Sequence, residues 1–229
     1  VARHGTDHYL AVGDFVRVNG TVAKRLVRIS KVDGAIDASF HQPSFNATIN
    51  SLLVLGDGRI LVGGSFTWVN GVNRNRLVRL AANGDLDDSF NPGGTGPNST
   101  VNAIVIRSGG LVIGGNFSSY NGTTVNDIAW LTPDGALDSS ITVLAGANNA
   151  VNALAVDSLG RVIVGGAFDS FNGDNTIKRI VRLTTTGTND STFAVGTGFD
   201  NTVNALLVNP ADDSVIVGGA FTTYKTSNT

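Results

Sequence analysis

The stretch Arg59–Gly71, RILVGGSFTWVNG, places two adjacent glycines in the middle of an apolar, strand-like run. A glycine inside a strand gives up side-chain packing and costs roughly 0.5–1 kcal/mol relative to alanine. Related segments occur four more times, as YLAVGDF, LVIGGNF, RVIVGGAF and SVIVGGAF. The repetition indicates that Gly63 and Gly64 serve the fold of a repeated unit.

The second glycine of this motif marks the length of the repeat. It recurs at intervals of 51, 51, 51 and 53 residues, at Gly13, Gly64, Gly115, Gly166 and Gly219. The intervals divide the chain into units of about 51 residues, the first and last incomplete: 1–48, 49–100, 101–150, 151–202 and 203–229. The first unit has Val12 at the first glycine position, so we predict that the second glycine is the less replaceable of the two.

Each unit contains four strand-like segments joined by short turns. In the second unit these are INSLLVL, the Gly-Gly strand, RLVRL and LDDSF, separated by the turns GDGR, VNG and NG. Asn-Gly and Asp-Gly pairs favour hairpins, because a type I′ turn needs positive φ at both central residues. The pattern predicts an antiparallel four-stranded meander. Repetition of such a meander is typical of β-propeller blades.

Two other repeat architectures fit less well. A parallel β-helix has shorter coils, and its parallel strands cannot be joined by two-residue turns. Helical solenoids need a sustained 3.6-residue period, which no segment has. We therefore expect an all-β chain, residues 1–229, forming a single β-propeller domain or part of one. The first two strands occur five times and the last two only four times, so we expect about four and a half blades of a larger ring.

Composition and missing motifs limit the function classes. The net charge of −2 gives no reason to expect nucleic acid, and the apolar runs are too short to insert into a membrane. The chain has no cysteine, which excludes disulfides and thiolate ligands. None of its three histidines, His4, His8 and His41, belongs to an H-E-x-x-H motif, and neither a G-x-S-x-G elbow nor a P-loop occurs. We expect no catalytic residue, no metal and no cofactor.

The stretches DGAIDASF, NGDLDDSF and DGALDSS, each followed by sequence of the VNAL…GRVIVGGAF type, resemble the bacterial delta-sixty repeat family of β-propellers. The resemblance covers essentially the whole chain. The chain departs from the family pattern in its recurring VNG turn and in the segment TGTNDSTF. Members of that family are modules of large exported or surface proteins, so the resemblance implies an extracellular or cell-surface location and brings no catalytic residues.

Residues that recur in every unit are expected to serve folding. One set is a series of aspartates, each two positions before a serine or threonine: Asp37, Asp87, Asp138 and Asp190. Such side chains bond nearby backbone amides, and an arginine lies one hairpin away in three units, as Arg28, Arg79 and Arg182. We predict Arg–Asp pairs. A ring of carboxylates that binds metal is disfavoured, because no D-x-D-x-D-G run occurs.

Residues that break the repeat are the candidates for a ligand surface. An exposed aromatic ring beside Asn and Gly can stack on a sugar while the amides bond its hydroxyl groups. The alternative is an aromatic residue that only covers the edge of a blade. The candidate ligand-binding residues are Trp68, Asn70, Tyr120, Asn121, Trp130, Phe171 and Asn172.

Three functions remain open. The first is a non-catalytic module of a secreted or surface-anchored bacterial protein that acts as scaffold, adhesin or filament component. The second is a lectin-like propeller that binds glycans. The third is a non-catalytic part of an extracellular enzyme. The expected partners are other protein chains or surface glycans, together with neighbouring domains of a larger polypeptide.

Overall fold

In a computed structural model the chain is built from β-strands, and residues 1–141 and 145–225, which the structure describes, contain no helix. In chain order the strands are β1 (Ala2–His4), β2 (His8–Val12), β3 (Arg17–Val18), β4 (Thr21–Val22), β5 (Leu26–Ser30), β6 (Ile49–Val54), β7 (Ile60–Gly64), β8 (Trp68–Val69), β9 (Val72–Asn73), β10 (Leu77–Leu80), β11 (Val101–Arg107), β12 (Gly110–Gly115), β13 (Ser119–Tyr120), β14 (Thr123–Thr124), β15 (Ile128–Leu131), β16 (Val151–Val156), β17 (Val162–Gly166), β18 (Ile180–Leu183), β19 (Gly198–Phe199), β20 (Val203–Val208), β21 (Val215–Gly219) and β22 (Tyr224–Lys225).

The longer strands form one antiparallel sheet for each repeat unit. Their orders are β1-β2-β5, β6-β7-β10, β11-β12-β15, β16-β17-β18 and β20-β21. The predicted all-β, antiparallel repeat is confirmed. The chain separates into two compact units, Val1–Ile104 and Val105–Thr229, and each is described by itself.

The last segment of each repeat differs from the full fourth strand that was expected. It makes a single bridge to the third strand, as between Leu80 and Leu86 in the second repeat. Immediately afterwards Asp87 Oδ1 accepts a hydrogen bond from the Ser89 amide at 3.1 Å. A turn closed by an aspartate in this way directs the backbone away from the sheet, which ends the pairing after one residue.

The VNG turn forms a small hairpin of its own. In the second repeat β8 and β9 pair around Asn70 and Gly71, whose φ angles are 52° and 80°. Positive φ at both positions is what a type I′ turn requires. Similar two-stranded hairpins, β3-β4 and β13-β14, follow the central strands of the first and third repeats.

The central strands are buried on both faces. Every residue of β7, β12 and β17 is buried, which explains why these strands are apolar throughout rather than alternating. In the first compact unit, Val1–Ile104, one face of the β6-β7-β10 sheet packs against the β1-β2-β5 sheet. The buried cluster there includes Ile60, Val62, Val78 and Leu80 together with Phe40 and Phe45.

The paired glycines of the opening motif have two different neighbours. A Cβ built on Gly63 would lie 2.7 Å from Cγ1 of Val101, which belongs to the first strand of the next repeat. A Cβ on Gly64 would fall well inside contact distance of the Thr48 carbonyl oxygen and 3.0 Å from Cα of Ile49, both in its own repeat. The first glycine therefore admits a side chain of the next repeat. The second lets two strands of one sheet approach closely.

Candidate functional site

Trp68 is the one aromatic ring among the predicted ligand-binding residues that lies on the surface, with 53% of the residue exposed. It sits on β8 opposite Asn73 of β9. Asn46 holds the start of this hairpin, because its Oδ1 accepts hydrogen bonds from the backbone amides of Thr67 at 2.9 Å and Trp68 at 3.0 Å. The indole is thus exposed on a hairpin whose backbone is fixed.

A small cleft of about 130 Å³ lies beside β9 and is lined by Asn73, Asn75 and Phe90 among others. At its margin Arg74 Nη2 donates to Asp88 Oδ1 at 2.5 Å. We call Trp68, Asn73 and this cleft the Trp68 surface. It combines an exposed ring with amide donors and acceptors.

The asparagines of the VNG turns are engaged in structural hydrogen bonds. Asn70 Oδ1 accepts from the Ser44 amide at 2.8 Å, and the Asn70 amide donates to the Ser44 carbonyl at 2.9 Å. Asn172 Oδ1 accepts from the Gly146 amide at 3.0 Å. Asn121 takes the same left-handed conformation, with φ of 48°. The Asn70 and Asn172 side chains thus hold their turns in place.

The other predicted aromatic residues are buried, and the structure corrects the expectation of an exposed ring at these positions. Tyr120 is fully buried, and its hydroxyl donates to the Gly135 carbonyl at 2.5 Å. Burial also raises the pKa of the Tyr120 phenol. Phe171 packs edge-on against Phe168, with ring centroids 5.3 Å apart. The edge-covering alternative fits both rings, since neither is accessible for stacking on a sugar.

The predicted Arg–Asp pairs are confirmed. In the first repeat Arg28 Nε donates to Asp37 Oδ2 at 2.7 Å and Nη2 donates to Ser39 Oγ at 3.1 Å, while the guanidinium lies 4.7 Å from the centroid of the Phe40 ring. We call this arrangement the Arg–Asp clasp. It recurs with Arg79, Asp87, Ser89 and Phe90, and again with Arg182, Asp190, Thr192 and Phe193.

The third repeat keeps the aspartate but changes its partners. Trp130 replaces the arginine and Ile141 replaces the phenylalanine, and both are buried. Arg107, from the first strand of that repeat, donates to Asp138 Oδ2 at 2.8 Å in their place. Trp130 was predicted as a ligand-binding residue, but it fills the core at the position of a clasp arginine.

The clasp carboxylates are poor candidates for proton transfer or metal binding. Hydrogen bonds from the Ser39 hydroxyl, and then from the Ser39 amide and Arg28, lower the pKa of Asp37 to about 2. The Thr192 hydroxyl has the same effect on Asp190. Such groups remain ionised at neutral pH and are weak bases. In the described part of the chain, no group of three or more His, Asp or Glu side chains is placed to hold a metal ion.

One titratable group is shifted in the opposite direction. Asp127 stands where three other repeats have an arginine, and burial raises its pKa to about 6. Its backbone is left-handed, with φ of 62°, as at Arg25, Arg76 and Arg179. Its carbonyl accepts from the Gly115 amide at 2.9 Å. The backbone role is thus shared with the arginines, although the side-chain chemistry differs.

The predictions from sequence did not include a row of asparagines that connects neighbouring repeats. Asn50 and Asn152 each occupy a β-bulge in the first strand of their repeat. Asn50 Nδ2 donates to Asn102 Oδ1 at 3.2 Å, and Asn152 Nδ2 donates to Asn204 Oδ1 at 3.2 Å. Each bond joins the bulge of one repeat to the corresponding residue of the next. The asparagine that recurs in INSL, VNAI and VNAL is the sequence feature from which this row could have been predicted.

The repeat pattern and its clasps correspond to a known sequence family. A family model described as "Domain of unknown function (DUF5122) beta-propeller" matches residues 7–40, 55–90, 108–140 and 160–193. The chain belongs to this β-propeller family. Each matched segment contains a central strand, a VNG-type turn, the third strand and the aspartate turn.

Solved structures agree with the propeller fold. The computationally designed protein Ika8 is 16% identical with a TM-score of 0.53, and the match covers 86% of this chain and 49% of that one. The extracellular domain of a B. thetaiotaomicron protein named as a one-component system, BT4673, is 16% identical with a TM-score of 0.54, covering 87% of this chain and 24% of that one. The propeller segment therefore spans about half or less of either protein. No curated protein matches the chain. No helix in the described residues is long and apolar enough to cross a membrane.

Proposed function

We propose that this propeller segment is a non-catalytic interaction module of a secreted or cell-surface bacterial protein, of the kind that the delta-sixty resemblance implies. The observation that carries the proposal is Trp68, a large apolar ring held exposed on a rigid hairpin. Tryptophan is enriched at the centres of protein–protein interfaces, where it contributes much contact area at little cost in side-chain entropy. The partner is another protein chain, which gives the module a role as scaffold, adhesin or filament component.

The distribution of polar groups supports a non-catalytic role. The recurring carboxylates are occupied by clasp arginines and turn amides, and the histidines have structural contacts. His8 Nε2 lies 3.1 Å from Asp37 Oδ2, and His41 Nδ1 lies 2.9 Å from Asp85 Oδ1. If the full protein is an extracellular enzyme, this segment is its non-catalytic part. The extracellular origin of the BT4673 neighbour is compatible with the proposed location.

A lectin-like function is the second candidate, and the Trp68 surface favours it. Trp68 is paired with Asn73, and Asn73 also lines the cleft, so a ring able to stack on a sugar and an amide group lie on the same hairpin. The other predicted rings are buried, so such a site would exist in one repeat and not in each.

Two measurements test these functions. Surface protease digestion of cells that produce the full-length protein should degrade the propeller while the envelope is intact; protection until lysis would overturn the proposed location. A glycan array should give no Trp68-dependent binding if the partner is a protein. Glycan binding that is lost in Trp68→Ala and retained in Leu159→Ala, an exposed apolar residue in the other compact unit, would favour the lectin function instead.

A further inference from the structure

Two histidines lie beside the Arg–Asp clasp of the first repeat. His4 and His8 are directly paired residues of the β1–β2 hairpin, so their side chains lie on the same face of the sheet. His8 Nε2 lies 3.1 Å from Asp37 Oδ2, and His4 Nδ1 lies 3.4 Å from Nη1 of Arg28. The aspartate and the arginine of this clasp therefore each have a histidine as a neighbour.

Two other repeats place a permanent charge at the position of His8. Arg59 Nη1 lies 3.7 Å from Asp87 Oδ2 in the second repeat, and Arg161 Nη1 lies 3.3 Å from Asp190 Oδ2 in the fourth. Both arginines stand five positions before the second glycine of their repeat, as His8 does. Histidine is the side chain whose charge changes between pH 5 and 8. The first repeat thus has a charge that depends on pH where these repeats have a fixed one.

His4 connects the first repeat to the second. It is 6% exposed, and its Nε2 lies 2.9 Å from the carbonyl oxygen of Gly58, in the turn between β6 and β7. A carbonyl oxygen only accepts hydrogen bonds, so Nε2 carries the proton. Nδ1 faces a guanidinium nitrogen of Arg28, which only donates, so Nδ1 is the acceptor and the ring is neutral. The two contacts therefore define one protonation state for His4.

The guanidinium of Arg28 is held from several sides. Nε and Nη2 each lie 2.7 Å from Asp37 Oδ2, and the group lies over the Phe40 ring. Nη1 donates at 3.3 Å to the carbonyl of Ala82, which belongs to the second repeat. A second proton on the imidazole would be on Nδ1 and would point at this cation. Because the guanidinium is fixed by its other contacts, the imidazole is the group that moves.

The charges in the cluster determine the direction of the effect. At neutral pH it holds one cation and one anion, Arg28 and Asp37. A proton on His8 gains an attractive contact with the Asp37 carboxylate. A proton on His4 meets a like charge on Arg28 and lies directly opposite His8. Acid therefore adds two positive charges to a cluster that has one carboxylate.

Charged groups on the adjoining turns are already paired with one another. In the turn between β6 and β7, Arg59 Nε donates to Asp57 Oδ2 at 2.7 Å. In the turn after β10, Asp85 Oδ1 lies 2.9 Å from Nδ1 of His41, and a proton on this exposed ring strengthens that contact. His4 is therefore the histidine whose protonation opposes the contact between the two repeats.

We propose that His4 makes the contact between the first and second repeats acid-sensitive. A proton on Nδ1 places a cation against the Arg28 guanidinium in a buried site, and the imidazole gives up its bond to the Gly58 carbonyl. The turn between β6 and β7 then separates from the first repeat, while the strands within each sheet stay paired. This device is independent of the Trp68 surface and of the proposed function.

Hydrogen exchange of the intact chain, expressed as protection relative to the intrinsic rate at each pH, measures the opening. We expect protection of residues 55–59 to fall by about tenfold or more between about pH 7.5 and about pH 5.5, because the turn loses its support. In His4→Gln the amide can donate to Gly58 and accept from Arg28 at every pH, so the fall should be less than about twofold. His41→Gln is the matched control and should keep the full fall.

A second measurement leaves the protein unaltered, so a folding defect in a variant cannot decide the outcome. Nitrogen-15 NMR of the imidazoles should show the Nε2–H tautomer for His4 at about pH 7.5. Its conversion to the doubly protonated ring should occur over the same pH range as the loss of protection. Constant protection, a fall that persists in His4→Gln, a fall that disappears in His41→Gln, or a His4 ring that already carries a proton on Nδ1 at about pH 7.5 would each overturn the proposal.

Discussion

Alanine substitution of the two adjacent glycines in the second repeat should give clearly unequal losses of stability. In Gly64→Ala the new methyl group meets the Thr48 carbonyl oxygen, which accepts a hydrogen bond from the Ser65 amide at 2.9 Å. The carbonyl cannot move away without breaking that bond, and Cα of Ile49, at 3.0 Å, blocks the other relaxation. The clash is therefore with backbone that belongs to the same sheet.

Gly63→Ala presents the methyl group to side chains instead. The nearest atoms are Cγ1 of Val101 at 2.7 Å and Cδ1 of Ile104 at 3.0 Å. These side chains can shift by rotation or by a small movement of their strand. Overpacking of this kind costs about 1–3 kcal/mol. For Gly64→Ala the overpacking is joined by the loss of a buried hydrogen bond, which adds about 1–3 kcal/mol.

Thermal unfolding followed by circular dichroism measures the difference. For a domain of this size each kcal/mol corresponds to about 2–4 °C in Tm. We expect Gly63→Ala to lower Tm by about 2–12 °C and Gly64→Ala by roughly twice as much. Gly218→Ala is the matched control, because its nearest atom is Cβ of Ala205 at 3.8 Å, and it should leave Tm nearly unchanged. Equal losses at Gly63 and Gly64 would refute the distinction between side-chain and backbone neighbours.

Three further substitutions test the polar groups. Asp127→Asn should raise the free energy of unfolding by about 1–2 kcal/mol at pH 7 and have no effect below pH 4. The reason is that the folded state binds the Asp127 proton more tightly than the unfolded state, so the stability that this proton contributes is lost as pH rises from about 4 through 6. Urea titrations at both pH values measure the free energy of unfolding. Arg107→Leu leaves Asp138 without its arginine and should cost about 1–3 kcal/mol. An exposed arginine, Arg17→Leu, should cost under 1 kcal/mol in the same denaturation assay. Asn152→Ala removes the bond to Asn204 and should lower stability by about 0.5–1.5 kcal/mol in chemical denaturation; no loss would mean that the bulge does not need the side chain.

Features that recur could be predicted from the sequence because the same structural requirement selects the same residue types in several repeats. The Arg28–Asp37 and Arg79–Asp87 pairs are examples, since a charge pair one hairpin apart lies on neighbouring strands whatever the wider arrangement. The turn at Asn70 followed from local φ requirements alone. The central strands could be predicted because their sequences are apolar throughout.

The candidate site was predicted less well, because burial depends on contacts that a two-residue strand does not encode. Trp68 and Tyr120 both precede a VNG-type turn and lie one aligned position apart, yet Trp68 is exposed and Tyr120 is fully buried. Trp130 broke the repeat pattern and therefore suggested a ligand surface. In the structure it is part of a compensated exchange with Arg107, which became visible only when the partner of Asp138 was known.

The contacts of the first glycine also bear on how such arrays arise. The fourth repeat offers a recess at Gly165, and Val203 and Leu206 of the fifth repeat fill it. The third and fourth repeats therefore each encode a protrusion at their start and a matching recess in their centre. Duplication of the corresponding gene segment would supply both halves of a new interface in one event, with no further substitution needed. Arrays of this type can lengthen by unequal recombination while their interfaces remain complementary.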